Sequence, residues 1–284
     1  MSSRGFRSLC FIAILLACAT LRAKERPASA ASGSPGAASS TESEITATLP
    51  KVAEVLARAE AALADAGTIK ADVRMEVWYP AHSTSRIELY ATEKGDERAN
   101  IITTVNEDTY TSLEVISGGV IWMEQDTPGG RVASKIDTNE VKKALAGENA
   151  RYAALPWLGA NALFDLAAMS KFVEFTDVKG AKIDSQDVFV LAGGLPAKPA
   201  PDAPALPKGA ERYYKSVAVW VRASDYLPAR VELGIDQGKP AVRLDFAALE
   251  KNAAAPEGAF AYAPPAGAEV VDRTAWAVEQ LKGK

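Results

Sequence analysis

The sequence predicts an α+β chain dominated by antiparallel sheet. Three observations carry this. About eleven short segments alternate apolar and polar residues with a period of two, which buries one strand face and wets the other. Turn residues punctuate them: Pro80-Ala-His82, Lys94-Gly-Asp96, Gly118-Gly119 and Pro128-Gly-Gly130. Helical periodicity is confined to one early segment and one or two central ones.

The 284 residues open with an expected export signal over 1–18. Arg4 and Arg7 are its positive end, and Leu9 to Ala17 is an apolar stretch too short to span a bilayer. Two processing readings stay open. Ala17-Cys18-Ala19 is an ordinary cleavage site; Leu15-Leu16-Ala17-Cys18 resembles a bacterial lipobox, which would place a lipid on Cys18. Residues 19–48 follow as a flexible linker, with "ASAASGSPGAASS" at 28–40, because small polar residues bury almost nothing. The folded domain is expected over 49–284. Its body contains no cysteine, since Cys10 and Cys18 both lie in or at the edge of the signal, so its stability must come from its core.

From Pro50 to Ala66, Val52, Val55, Leu56, Ala59 and Leu63 recur at helical spacing, and Gly67 stands where a helix ends. In "KADVRMEVWY" Ala71, Val73, Met75, Val77 and Tyr79 face one way; Ile87 and Leu89 repeat the pattern in "SRIELYATEK". Further strands are expected at 97–105, 109–117, 119–125 and 130–136, then at 171–178 and 186–192. Asn139 to Leu145 and Pro156 to Ser170 read as helices between them. A Pro/Ala-rich insert at 195–209 reads as an exposed loop. Strands at 212–222, 228–235 and 240–247 form a late meander, and Phe260 and Tyr262 open a closing strand that Pro264-Pro265 cuts short.

The helix at 156–169, "PWLGANALFDLAAM", is apolar nearly all round, with Asn161 and Asp165 its only polar stripe. Such a helix is buried on most sides. Either it is ordinary core, or part of its surface faces an apolar ligand. On the second reading Val73, Met75, Val77 and Leu89 line one wall of a pocket, and Trp157, Leu158, Phe164, Leu166 and Met169 close it from above.

The ordered set of elements resembles the periplasmic lipoprotein-carrier family (LolA/LolB and the related lipoprotein-sorting proteins) over residues 50–272. The similarity rests on "ISGGVIWMEQDTPGGRVASKI" at 116–136, "VWVRASDYLPARVELGIDQGKPAVRLDFAAL" at 219–249 and "FAYAPPAGAEVVD" at 260–272. The resemblance implies an unclosed antiparallel β-barrel of about eleven strands, with helices covering the concave mouth and a hollow for the acyl chains of lipoproteins. It also implies that the Pro-Pro turn lets 269–272 add a last edge strand. The chain departs from the family in "TEKGDERANI", where no basic residue precedes a proline and Lys94 and Arg98 are the candidates for a gating cation. The 195–209 insert and the extension through Trp276 depart too.

No enzyme chemistry is legible. His82 is the one histidine, the body lacks cysteine, and no nucleophile elbow, P-loop or dinucleotide glycine motif is present. A formal net charge of −4 without an aromatic-basic cluster argues against nucleic acid. The expectation is therefore a non-enzymatic, cofactor-free and metal-free monomer of the periplasmic envelope. It would carry or accept an acylated lipoprotein or lipid ligand and meet the membrane surface through an anchor. A sensor or interaction domain on the same scaffold, and a structural lipoprotein with a filled core, remain the alternatives.

Overall fold

The computed structural model describes residues 49–78, 82–127, 130–145, 166–198, 214–235 and 239–282. Helix α1 spans Val52–Ala64 and buries Val55 and Ala59, one turn apart on the stripe set by the sequence. Six strands follow: β1 (Thr68–Val77), β2 (Ser83–Thr92), β3 (Glu97–Val105), β4 (Asp108–Ser117), β5 (Val120–Thr127) and β6 (Gly130–Asp137). Helix α2 (Thr138–Leu145) and the short α3 (Leu166–Met169) lead into β7 (Glu174–Ile183), β8 (Gln186–Gly194), β9 (Val217–Arg222), β10 (Pro228–Leu233) and β11 (Val242–Lys251). Strand β12 (Glu269–Asp272) and helix α4 (Thr274–Lys282) close the chain.

All twelve strands form one sheet, ordered β12-β6-β5-β4-β3-β2-β1-β11-β10-β9-β8-β7. Every pairing is antiparallel except β12 with β6. The sheet does not close, since β12 and β7 are its two edges. Twelve strands replace the expected eleven or so. Alternation holds best where it was clearest: in β1, Ile69, Ala71, Val73, Met75 and Val77 are buried and Arg74 is exposed.

Local chemistry explains the tight connections. Gly118 and Gly119 both take positive φ, +60° and +84°, in the two-residue turn between β4 and β5. That is the backbone twist a two-residue hairpin demands. Asn106-Glu107 and Asp184-Ser185 do the same between β3 and β4 and between β7 and β8 without glycine, which is why those turns carried no glycine signal. Gly193 and Gly194 serve close packing instead. A Cβ on Gly193 would lie 2.2 Å from the Glu174 carbonyl oxygen, and one on Gly194 would lie 2.3 Å from that of Lys215.

Two helix pairs lie on one face of the sheet. Helix α1 packs on α3 and on β7; α2 packs on α4, beside β5 and β6. Asp137 caps α2 by accepting from the Asn139 and Glu140 amides at 2.8 and 3.1 Å. Asp272 caps α4 by accepting the Thr274 amide at 2.9 Å. These bonds to Thr274, and then Lys135 beside it, hold the Asp272 carboxyl down at about 2. The Thr274 hydroxyl in turn accepts the Asp137 amide at 2.9 Å, tying the two caps together.

Three expectations need correction. Phe260 and Tyr262 are not in a strand; residues 257–260 form a turn and 261–265 are irregular. Pro256 and Gly258 supply turn carbonyls to the Ala259 and Ala261 amides, so the alternating aromatics meet no neighbouring ladder. The segment instead straps the sheet face opposite the helices. Arg98 Nη1 donates to the Ala259 carbonyl at 3.3 Å, and the Tyr262 ring packs on Trp122 at 5.3 Å. The strands expected from 171 and 212 begin later, at Glu174 and Val217. Helix α4 was not foreseen, although Asp272 and the apolar Trp276, Ala277 and Val278 could have signalled it. The last short edge strand, by contrast, stands where the Pro-Pro turn implied.

Candidate functional site

The inward face of the sheet can be read row by row from the strand register. One row carries Val77 and Ser83 opposite Val105. The next carries Leu244, Met75, Ser85, Thr103 and Tyr110. Then come Phe246, Val73, Ile87, Ile101, Ser112 and Gln125, followed by Leu249, Ala71, Leu89, Ala99, Glu114, Met123 and Ser134. Period two places all of these on one face.

Val73, Met75, Val77 and Leu89 are therefore neighbours on a single wall, all buried. Leu166 and Met169 of α3 are buried too, and they share one contiguous apolar cluster with those four residues. Val55 and Ala59 of α1, Val141 of α2 and Ala277 of α4 complete its helical side. Trp157, Leu158 and Phe164, like Cys18, lie outside the described residues.

The wall is uniform on one side of β1 and mixed on the other. Through β11, β10, β9 and β8 the inward positions include Val242, Leu244, Phe246, Leu249, Val231, Leu233, Val217, Val219, Val221 and Leu191, all buried. Through β2 to β6 the same face carries buried Ser83, Ser85, Glu97, Glu114 and Ser134. Glu97 and Glu114 stand diagonally on adjacent strands, since Glu97 pairs with Ile116 and Ala99 with Glu114. Burial pushes the Glu114 carboxyl up to about 8, because a charge is costly away from water. The Ser85 and Thr103 hydroxyls bond at 2.9 Å, while Ser83 Oγ has no hydrogen-bond partner. These polar inward positions were missed as candidates, although the parity of Ser83 and Ser85 with Ile87 and Leu89 was legible.

The opposite face is charged and braced. Arg243 meets Glu232 at 2.8 Å and Arg230 meets Asp245 at 2.5 Å. Tyr262 donates to Glu124 Oε2 at 2.8 Å, and Arg131 pairs with Glu124 at 3.2 Å. Arg98 is thus engaged by the strap rather than turned to the helices. Lys94 stands in the exposed turn between β2 and β3. His82 pairs with Glu76 at 2.9 Å on this outer side. Among the described residues, no three His, Cys, Asp or Glu side chains gather as a metal site, and no helix is long and apolar enough to cross a membrane.

No family model and no curated protein matches the chain. Solved structures do. An uncharacterized conserved protein from Thermus thermophilus is 13% identical with a TM-score of 0.47, over 78% of this chain and 98% of that one. A LolA superfamily protein from Nitrosomonas europaea is 14% identical with a TM-score of 0.30, over 75% of this chain and 99% of that one. MucB of Pseudomonas aeruginosa, solved in complex with MucA, is 17% identical with a TM-score of 0.38; the match spans 74% of this chain and 60% of that one. One of these neighbours thus bears the LolA superfamily name.

Proposed function

We propose that this chain is a non-enzymatic carrier or acceptor of the bacterial envelope that shelters the acyl chains of lipoproteins or other lipids. The observation that supports this most is that Leu166 and Met169 share one apolar cluster with Val73, Met75, Val77 and Leu89. On this reading the open sheet is the barrel, and its helices are the lid over the mouth. On the same reading Trp157, Leu158 and Phe164, which lie outside the described residues, would join that lining. Each methylene taken from water contributes about 0.8 kcal/mol, so a single chain gives useful affinity. Release then requires the lid to move aside.

Leu166→Glu tests the pocket. A carboxylate in a dry site costs several kcal/mol. We expect loss of binding to a fluorescent acyl probe with a nearly unchanged thermal midpoint, because a charge on a cavity wall can turn into the opening. A collapsed melt would instead mark Leu166 as packed core and leave the structural reading standing. Lipids co-purifying with the mature domain, identified by mass spectrometry, name the cargo. On the same proposal Cys18 is diacylated and holds the protein to a membrane through the 19–48 linker. Cys18→Ala is then expected in the soluble fraction, and a wild-type protein that is wholly soluble and starts at Thr20 would refute the anchor.

A further inference from the structure

The polar end of the apolar wall points to the chemistry of the ligand. Ser83 is 3% exposed, and its hydroxyl has no partner. A buried hydroxyl without a partner is costly, so something that bonds to it when the site is filled would be bound selectively. Beside it the Ser85–Thr103 pair uses one of its two protons internally, which leaves the other to donate. These three hydroxyls stand at one end of the wall. Val77 and Met75 stand across from Ser83 and Ser85 on β1, and Val73, Ile87 and Leu89 carry the apolar face onward from them. From Ser83 to Leu89 is six residues of strand, about 20 Å, a length suited to a long acyl chain.

The charges nearby decide between ligand end groups. The two hydroxyl-bearing rows hold no cation among the described residues. The charge at their margin is Asp108, which pairs with Val105 in the register and is an anion. His82 is held by Glu76 on the outer side. A free carboxylate would find no counter-charge in the described residues of these two rows, whereas a neutral carbonyl would find donors.

We propose that Ser83, with the Ser85–Thr103 pair, binds the ester carbonyl of an acylglycerol whose chain lies along Val77, Met75 and Val73. The inference rests on the acyl-pocket reading above and adds to it an orientation and a preference for esters over free fatty acids. It is tested by displacement of the neutral dye N-phenyl-naphthylamine from the mature domain. The competitors are dipalmitoylglycerol, its dialkyl ether analogue and palmitate, which share one chain length. Wild type should prefer the ester to the ether about fivefold, the size of one neutral hydrogen bond, and should bind palmitate most weakly. Ser83→Ala should abolish the ester preference, leave the ether lipid unchanged and not lower the thermal midpoint, because it removes an unsatisfied hydroxyl. Thr103→Val, of nearly equal volume, should reduce the preference in part. Equal binding of ester and ether by wild type, or an undiminished preference in Ser83→Ala, overturns this proposal alone. A dye and lipids that do not bind wild type at all overturn the acyl pocket and this proposal together.

Discussion

The two halves of the sheet's inward face are built on opposite principles. From β1 through β11 to β8 the face is aliphatic, with residues such as Leu244, Val231, Val219 and Leu191 fully buried. From β2 to β6 it mixes Ile87, Leu89 and Ile121 with buried Ser83, Ser85, Glu97, Glu114 and Ser134. The backbone differs as well. The strand register shifts between β1 and β11, between β9 and β10, and between β7 and β8, but not from β2 to β6. A bulge bends and twists its strand, so the aliphatic half has the freedom to curl around its helices. The mixed half keeps a regular ladder and is braced from behind by the strap. Apolar contact is non-directional and tolerates irregular backbone; buried polar groups require fixed geometry. The aliphatic half is suited to supply stability; on the proposed function, the mixed half supplies recognition.

The largest expected effect separates the halves by pH. Glu114 is held near 8 by burial, against an ordinary 4.5. Between those values the folded chain keeps a proton that the unfolded chain has released. Stability therefore falls as pH rises through that window, by about 1.4 kcal/mol per unit at most, and is level on either side. Glu114→Gln should flatten the profile and leave stability at the acid end of the window unchanged. Urea midpoints measured across the window check this; a wild-type midpoint that holds steady would place Glu114 in a more polar setting than the structure gives it.

Next comes the aliphatic half. Leu244→Ala removes a fully buried side chain from its centre and should cost about 2–5 kcal/mol. Chemical denaturation reads it directly. A cost well below this range would mean that the site collapses or was never tightly filled, which would favour an open hollow there.

The smallest effect concerns the brace. The Tyr262 hydroxyl is pushed up to about 12 by burial and by its bond to Glu124. Tyr262→Phe removes that bond and keeps the ring on Trp122. About 1 kcal/mol should be lost, seen as faster amide exchange in residues 256–268 with the β1–β11 ladder unaffected. Faster exchange throughout the sheet would show the strap to be part of the global folding unit.

Much of the fold was legible because its elements obey local rules. Period-two alternation located the strands, since an antiparallel sheet with one wet face cannot hide it. Val55 and Ala59 marked the buried stripe of α1, and Gly118-Gly119 marked a hairpin that needs two positive φ angles. That Val73, Met75 and Val77 share one face of β1 followed from parity alone. What sequence could not supply was which parities meet. The mixed half depends on strand order and register, which bring Ser85 to Thr103 and Ala99 to Glu114. The strap shows the same limit. Phe260-Ala-Tyr262 alternates like a strand, and only the placement of Trp122 and Glu124 behind it turns Tyr262 into a clamp. Residues close in sequence fixed their own elements through propensity and periodicity; contacts between residues far apart depend on how the whole sheet is ordered, and that was decided only in three dimensions.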